Sequence, residues 1–369
     1  MKNRFLIILL FLFMSYFLIT GRKSAEPIED LLIQPGVGYD IEKTSSDTIK
    51  YNIPVSTYVF EGDGNISSEV YSGSYVNLAG TRTSRQVKLN KRFIVAFEKI
   101  YIFSEDFAKR GIRNGINILF KNPWVDDMGN GVVCAGKAED ILKFNVKGYP
   151  SSCDYIEGMI KSIKYYNFFS DNYTLVNMEV MLDSEGRNLT LPYIEIIDGQ
   201  LEITGLAVFK GDKMIAKMDL EDSQILNILR ENNDEGILYI QGNNDESISY
   251  DATVNKKVKC IKQKDNYKFI ISLDFNGSIV EDELYKNITK SSSVGEEFSQ
   301  DISKVIKQEC DGFIYNMQNT YKVDMLDLGR IAAAKYGRHT GVDWNDEVSK
   351  ADIEVNIKAN LTSFGRGDY

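Results

Sequence analysis

Residues 351–362 read Ala351-Asp-Ile-Glu-Val-Asn-Ile-Lys-Ala-Asn-Leu-Thr362. Ile353, Val355, Ile357, Ala359 and Leu361 fall on one side of an extended chain. Glu354, Asn356, Lys358, Asn360 and Thr362 fall on the other. That two-residue period is the mark of a strand with one face on a core. Upstream of it, Phe298, Ile302, Val305, Ile306, Cys310, Phe313 and Met317 recur at three- and four-residue steps. This spacing predicts an amphipathic helix of about 25 residues. A second, shorter helix runs from Asp327, its N-cap, to Tyr336, with Gly337 suited to the C′ position.

Working toward the N-terminus, Phe269, Ile271, Leu273 and Phe275 alternate as a strand. Leu201, Ile203 and Leu206 to Phe209 form another, and Gly211-Asp212 turns it back through Met214 and Ile215 as an antiparallel hairpin. A longer helix starts near Ser151 or Ser152, and a short one covers residues 137–144. Ser104 caps a helix whose face is Phe107, Ala108, Ile112 and Ile116, with Glu105 and Asp106 in its first turn. Asn122-Pro123 ends it. Residues 93–103 read as one apolar strand. Ile49, Tyr51, Ile53 and Val55 form a half-buried strand, and Gly36-Val-Gly-Tyr-Asp40 reads as a turn leading into strands. Strands and helices mix without regular βαβ alternation. The fold class is therefore α+β, multi-domain, with largely antiparallel sheets and packed helices. We divide the chain into 1–21, a signal peptide or N-terminal membrane anchor; 22–198, an N-terminal α+β region; and 199–369, a C-terminal α+β domain with the long amphipathic helix.

A length of 369 residues fits two or three domains. With 53 acidic and 43 basic residues the net charge is -10, a poor match for nucleic acid. Lys2 and Arg4 precede an apolar run from Phe5 to Ile19, shorter than a full membrane span and typical of a signal-peptide core or a marginal uncleaved anchor. The bulk of the protein is thus expected outside the cytoplasmic membrane. Cys134, Cys153, Cys260 and Cys310 contain no C-x-x-C pair. We read them as buried free thiols in preference to disulfides.

Catalytic signatures are missing. No Gly-x-Ser-x-Gly elbow, Walker A loop or Gly-x-Gly-x-x-Gly fingerprint occurs. The single histidine, His339, reads as a polar loop residue. Asp324 and Asp327 are spaced as paired acids could be, but capping is the preferred reading. Acidic runs at Glu281-Asp-Glu283 and Asp126-Asp127 lack calcium-loop spacing. Arg82, Arg85, Lys88, Lys91 and Arg92 cluster, and the preferred reading is a solvated loop and strand edge. We assign no catalytic, cofactor-binding or metal residue, and no cofactor.

Several segments together resemble one family, the Ger(x)C proteins, C-subunits of spore-germination nutrient receptors. The C-terminal match is Tyr321-Lys-Val-Asp-Met-Leu-Asp-Leu-Gly329, then Lys335-Tyr336, Trp344, the closing strand and Phe364-Gly365. A second is Thr204-Gly-Leu-Ala-Val-Phe-Lys-Gly-Asp-Lys-Met-Ile215. A third is Ser104-Glu-Asp-Phe-Ala-Lys-Arg-Gly111 with Lys121-Asn-Pro123 and 135–142, and a fourth Glu29-Asp-Leu31 with Gly38-Tyr-Asp40. Asp324, Leu328, Gly329, Trp344, Gly205, Phe209 and Gly111 are the candidate motif residues. The resemblance implies a non-enzymatic subunit on the outer face of the inner spore membrane, working with two integral-membrane subunits in germinant sensing. It also implies a three-domain α+β fold with residues at about 45–103 inserted in the first domain. Family members carry a lipidated Cys after the signal segment. Here Arg22 stands at that position, so lipidation there is excluded and the expectation is a retained Phe5–Ile19 anchor or tethering by partner subunits. The alternatives are an extracytoplasmic small-molecule-binding protein, an exported hydrolase, or a degenerate paralogue without a germination role.

Overall fold

A computed structural model describes residues 30–363 apart from 44–47, 63, 242–246, 265, 283, 286–287 and 289–291; of the residues before 30 it describes only Arg4, Leu10, Phe11, Phe13–Tyr16 and Pro27. The targeting segment falls largely outside this set, and Arg22 falls outside it altogether. Among the described residues no helix is long and apolar enough to cross a membrane.

The chain begins with β1 (Leu31–Ile33), β2 (Gly36–Lys43), β3 (Ile49–Phe60), β4 (Ile66–Tyr75), α1 (Leu78–Gln86), β5 (Arg92–Ile94) and β6 (Ile100–Ser104). Next come α2 (Glu105–Arg110), α3 (Arg113–Phe120), β7 (Asn130–Cys134), α4 (Ala138–Lys143), α5 (Ser152–Ile163) and α6 (Leu175–Asp183). Then follow β8 (Thr190–Ile197), β9 (Gln200–Lys210), β10 (Lys213–Met218), α7 (Leu220–Arg230), β11 (Asp234–Gln241), β12 (Ser247–Lys262) and β13 (Tyr267–Asp282). The last stretch holds α8 (Ser292–Asn316), a π-helical turn (Met317–Tyr321), α9 (Leu328–Tyr336), α10 (Trp344–Ser349) and β14 (Asp352–Ser363).

Eight strands form one sheet in the order β10-β9-β8-β7-β6-β2-β3-β4. Its flanks are antiparallel hairpins, but β2, β6, β7 and β8 run parallel at the centre. The central strands explain this. Every residue of Ile100–Ser104 and of Asn130–Cys134 is buried. A strand covered on both faces reads as a continuous apolar run and suits a parallel core closed by helices. The sheet crosses residues 198–199, because β8 and β9 pair across that turn. The second sheet is β11-β12-β13-β14, antiparallel except that β14 runs parallel to β13. α8 lies against β14. On its apolar stripe Phe298, Ile302, Ile306, Cys310, Phe313 and Met317 are buried, as their spacing predicts. The ring of Phe298 meets Tyr250 edge-on at 5.4 Å.

Three local expectations need correction. Gly36–Asp40 is not a turn but the start of β2, between β3 and β6. Its glycines answer to packing, since a Cβ on Gly36 would lie 2.3 Å from Cys153 Sγ and one on Gly38 would lie 2.8 Å from Pro54 Cγ. Residues 93–103 are two strands: β5 pairs with β1, while β6 enters the large sheet. Between them Glu98 is buried and accepts a hydrogen bond from Gln34 Nε2. The helix after Ser104 is also two. Gly111, at φ 125°, breaks it, and the Ile112 N–H donates to Asp212 O at 2.9 Å. The Ser104 cap itself is present, with the Phe107 N–H donating to its Oγ at 3.3 Å.

All four cysteines are free and buried. Burial pushes the thiols of Cys153 and Cys310 up to about 12, and raises Cys134 and Cys260 as well. They pack as small hydrophobes and are poor nucleophiles.

Candidate functional site

The motif residues gather at two junctions. The first joins α2 to the β9–β10 hairpin. Gly111 sits so close to the hairpin turn that a Cβ would lie 2.6 Å from Asp212 Oδ2. The Tyr193 hydroxyl donates to Glu105 Oε2 at the start of α2. Tyr193 lies opposite Gly205 in the register, beside a bulge. Gly205 has φ 144°, and a side chain there would come within 1.9 Å of Met218 O. Phe209 is fully buried in β9. Two stretches picked separately from the sequence therefore touch, and glycine permits the approach.

The second junction is built around Asp324, which has no exposed surface. Its Oδ1 accepts from the N–H groups of Leu326 at 3.0 Å and Leu328 at 3.2 Å, and its Oδ2 accepts from Gly329 N–H at 2.6 Å. The Leu328 and Gly329 groups are orphan donors at the head of α9, and the Leu326 N–H lies in the turn that precedes it. Burial pushes the Asp324 carboxyl up to about 7, against the downward pull of those donors. Asp327 does occupy the N-cap position, but at φ 58° and with no capping bond from its side chain. That corrects the expected cap: Asp324 supplies it from three residues earlier. Asp327 is an ion-pair residue instead, accepting from Arg187 Nε at 2.9 Å and lying 3.6 Å from Arg230 Nη2. With Asp324 fully buried and bonded to backbone, the two aspartates form no open acid pair.

Segment 185–188 closes this junction from the other side. Arg330 N–H donates to Gly186 O at 2.9 Å. Asn188 Nδ2 donates to Asp324 O at 2.9 Å and to Asn345 Oδ1 at 2.8 Å, and Asn345 Oδ1 accepts from Asp324 N–H at 2.9 Å. Trp344 Nε1 donates to Glu185 Oε1 at 2.9 Å, and the His339 N–H donates to Glu185 Oε2 at 2.8 Å. A Cβ on Gly329 would lie 2.6 Å from Trp344 Cβ. Leu328 is fully buried beneath them. His339 itself is exposed, the polar loop residue its context suggests.

Sequence reasoning missed Glu185, Arg187, Asn188, Asn345 and Arg230. Arg187 and Asp327 are 140 positions apart, and no local pattern links them. The sequence marks Asp40 only as part of a motif. In the structure it is a distant cap, accepting from the N–H groups of Ala138 at 2.7 Å and Glu139 at 3.1 Å at the head of α4. Among the described residues no group of three or more His, Cys, Asp or Glu could hold a metal ion.

The fold and both junctions define an α+β protein with two large sheets and a small β1–β5 pair, whose marked residues bind one part of the chain to another. The profile of the family described as "Spore germination protein N-terminal domain" matches residues 24–196, and that described as "Spore germination B3/ GerAC like, C-terminal" matches residues 204–365. The chain belongs to the Ger(x)C family of spore-germination proteins. It is 22% identical to the spore germination protein GerQC of Bacillus cereus over 97% of this chain and 98% of that one. It is 20% identical to the spore germination protein YndF of Bacillus subtilis (strain 168) over 94% of each. The crystal structure of the GerBC protein shares the fold, with a TM-score of 0.55 and 13% identity, covering 89% of this chain and 97% of that one.

Proposed function

We propose that this chain is a non-enzymatic subunit of a spore-germination nutrient receptor, acting with two integral-membrane subunits at the outer face of the inner spore membrane. The observation that carries the reading is the succession of the two family profiles, in order, over nearly the whole described chain. The junctions agree with it. Gly111, Gly205, Phe209, Asp324, Leu328, Gly329 and Trp344 act as positioning residues that hold the surfaces around them. One profile ends at residue 196 and the other begins at residue 204, on either side of our division at 198–199, which supports reading that division as one between sequence modules although the sheet runs across it. In place of a lipidated Cys at Arg22, attachment rests on the apolar segment Phe5–Ile19, retained as an anchor, or on the partner subunits.

The test is to cross-link inner membranes from dormant spores, pull down this chain, and identify what accompanies it. Recovery with two polytopic membrane proteins is expected. Recovery alone, or only from the soluble fraction, overturns the receptor reading. A free mature N-terminus near Arg22 sinks the retained anchor but leaves tethering by partners standing.

A further inference from the structure

A cavity of about 500 Å³ lies beneath α1. That volume falls in the range of about 300–1,000 Å³ usual for small-molecule sites. α1 rests on β4 where Gly73 leaves no room, since a Cβ there would meet Thr81 O at 2.2 Å. Beyond that contact the space opens over β2 and β3, and Val37, Val55, Leu78, Phe93 and Leu119 give it apolar walls.

One strong charge sits in this wall. Arg85 belongs to the cluster read from sequence as solvated, but it is only 6% exposed. Its Nη1 donates to Ile53 O at 2.8 Å, and its guanidinium lies 4.9 Å from the centre of the Phe93 ring. Its Nε is buried with no hydrogen-bond partner. Among the described residues no carboxylate forms an ion pair with it. The other charged residues in the wall are also cations, Arg82 and Arg92, both exposed. Burial and Arg82 together bring the pKa of Arg85 down to about 10. Glu98 does not serve as its partner: it is bonded to Gln34, and burial raises its own pKa.

A guanidinium out of water needs an anion, and its planar fork suits a carboxylate. We infer that this cavity binds a small organic carboxylate with an apolar body, its head on Arg85 and its body against Val37, Val55, Leu78 and Leu119. Arg82 at the rim favours entry of the anion. The site needs no partner subunit, so the isolated chain tests it and the result is independent of receptor assembly.

The experiment titrates the full chain, in a mild detergent, with 3-phenylpropanoate and with its neutral isostere 3-phenylpropanamide, by calorimetry. A charge-assisted bond to the guanidinium should make the carboxylate bind about tenfold tighter or more. Arg85→Met should bring the two probes to equal affinity. Arg82→Glu, on the exposed turn of α1, should weaken the carboxylate alone, and it decides the matter if Arg85→Met does not fold. No saturable binding of 3-phenylpropanoate, equal affinities in the unaltered chain, or a preference that survives the substitutions would overturn the inference.

Discussion

Arg230 and Arg85 are buried to nearly the same extent, 5% and 6% exposed, in opposite surroundings. Arg230 stands in the junction under Asp324. Its Nη1 donates to Thr190 Oγ1 and its Nη2 to Asn188 O, both at 3.1 Å. Asp327 lies 3.6 Å from its Nη2 and Glu231 3.5 Å from its Nε. Burial works against its charge, but those carboxylates outweigh it and hold its pKa above the ordinary value. Arg85 has one carbonyl, one ring and a hollow. A buried charge can hold a fold together or wait for something outside the chain. What distinguishes the two is whether the counter-charge is part of the same chain.

The largest effect should separate the two arginines directly. Arg230→Met leaves Asp327 buried with less compensation and should cost about 3 kcal/mol or more in urea unfolding. Arg85→Met removes a cation that has no anion, and should leave stability within about 1 kcal/mol or raise it. Equal losses in the two variants would break the comparison.

Next in size comes the cap. Asp324→Ala strands three N–H donors in a dry junction and should cost about 2–3 kcal/mol. Asp327→Ala should leave the head of α9 intact, visible as unchanged amide-exchange protection of Leu328 and Gly329. Loss of protection in the Asp327 variant instead would restore it as the cap. Somewhat smaller is Gly329→Ala, at about 1–3 kcal/mol by overpacking against Trp344. A thermal scan of that variant should show the loss, and a neutral result would mean the junction yields around Trp344.

A graded effect sharpens the contrast last. Burial raises Asp324 to about 7 and Asp40 to about 6. The folded protein keeps protons that the unfolded chain releases above about pH 4. The unfolded state then binds fewer protons, so stability falls as pH rises. This contribution is complete below about pH 4 and is lost by about pH 7. Asp324→Asn should flatten the decline in unfolding midpoint over that window. An unchanged slope would show that Asp324 does not titrate there.

Much of the architecture was legible because it is local. The alternation at 353–361 and the stripe from Phe298 to Met317 each state their own period. Ser104 announces its cap within three residues. The reading of the cysteines as buried free thiols also holds, with Cys134 in an apolar run and Cys310 on the apolar stripe of α8. Where the sequence misled, the deciding neighbour was remote. Gly36 and Gly38 look like turn residues until Cys153, Pro54 and Ala138 are seen against them. Gly111 looks like a helix residue until Asp212 takes the next N–H. Asp327 looks like the cap because position favours it, while the donors of α9 turn to Asp324.

By itself, then, the sequence determined the strand and helix periods, the α+β class, the negative charge and the family, all of which are written in residues a few places apart or in a motif order along the chain. Tertiary structure alone decided which aspartate caps α9, that segment 185–188 closes the junction, and that Arg85 in a basic cluster turns inward beside an empty space. Burial and partnership are properties of residues brought together from distant positions, and a charge has no sign of its fate until its neighbours are in place.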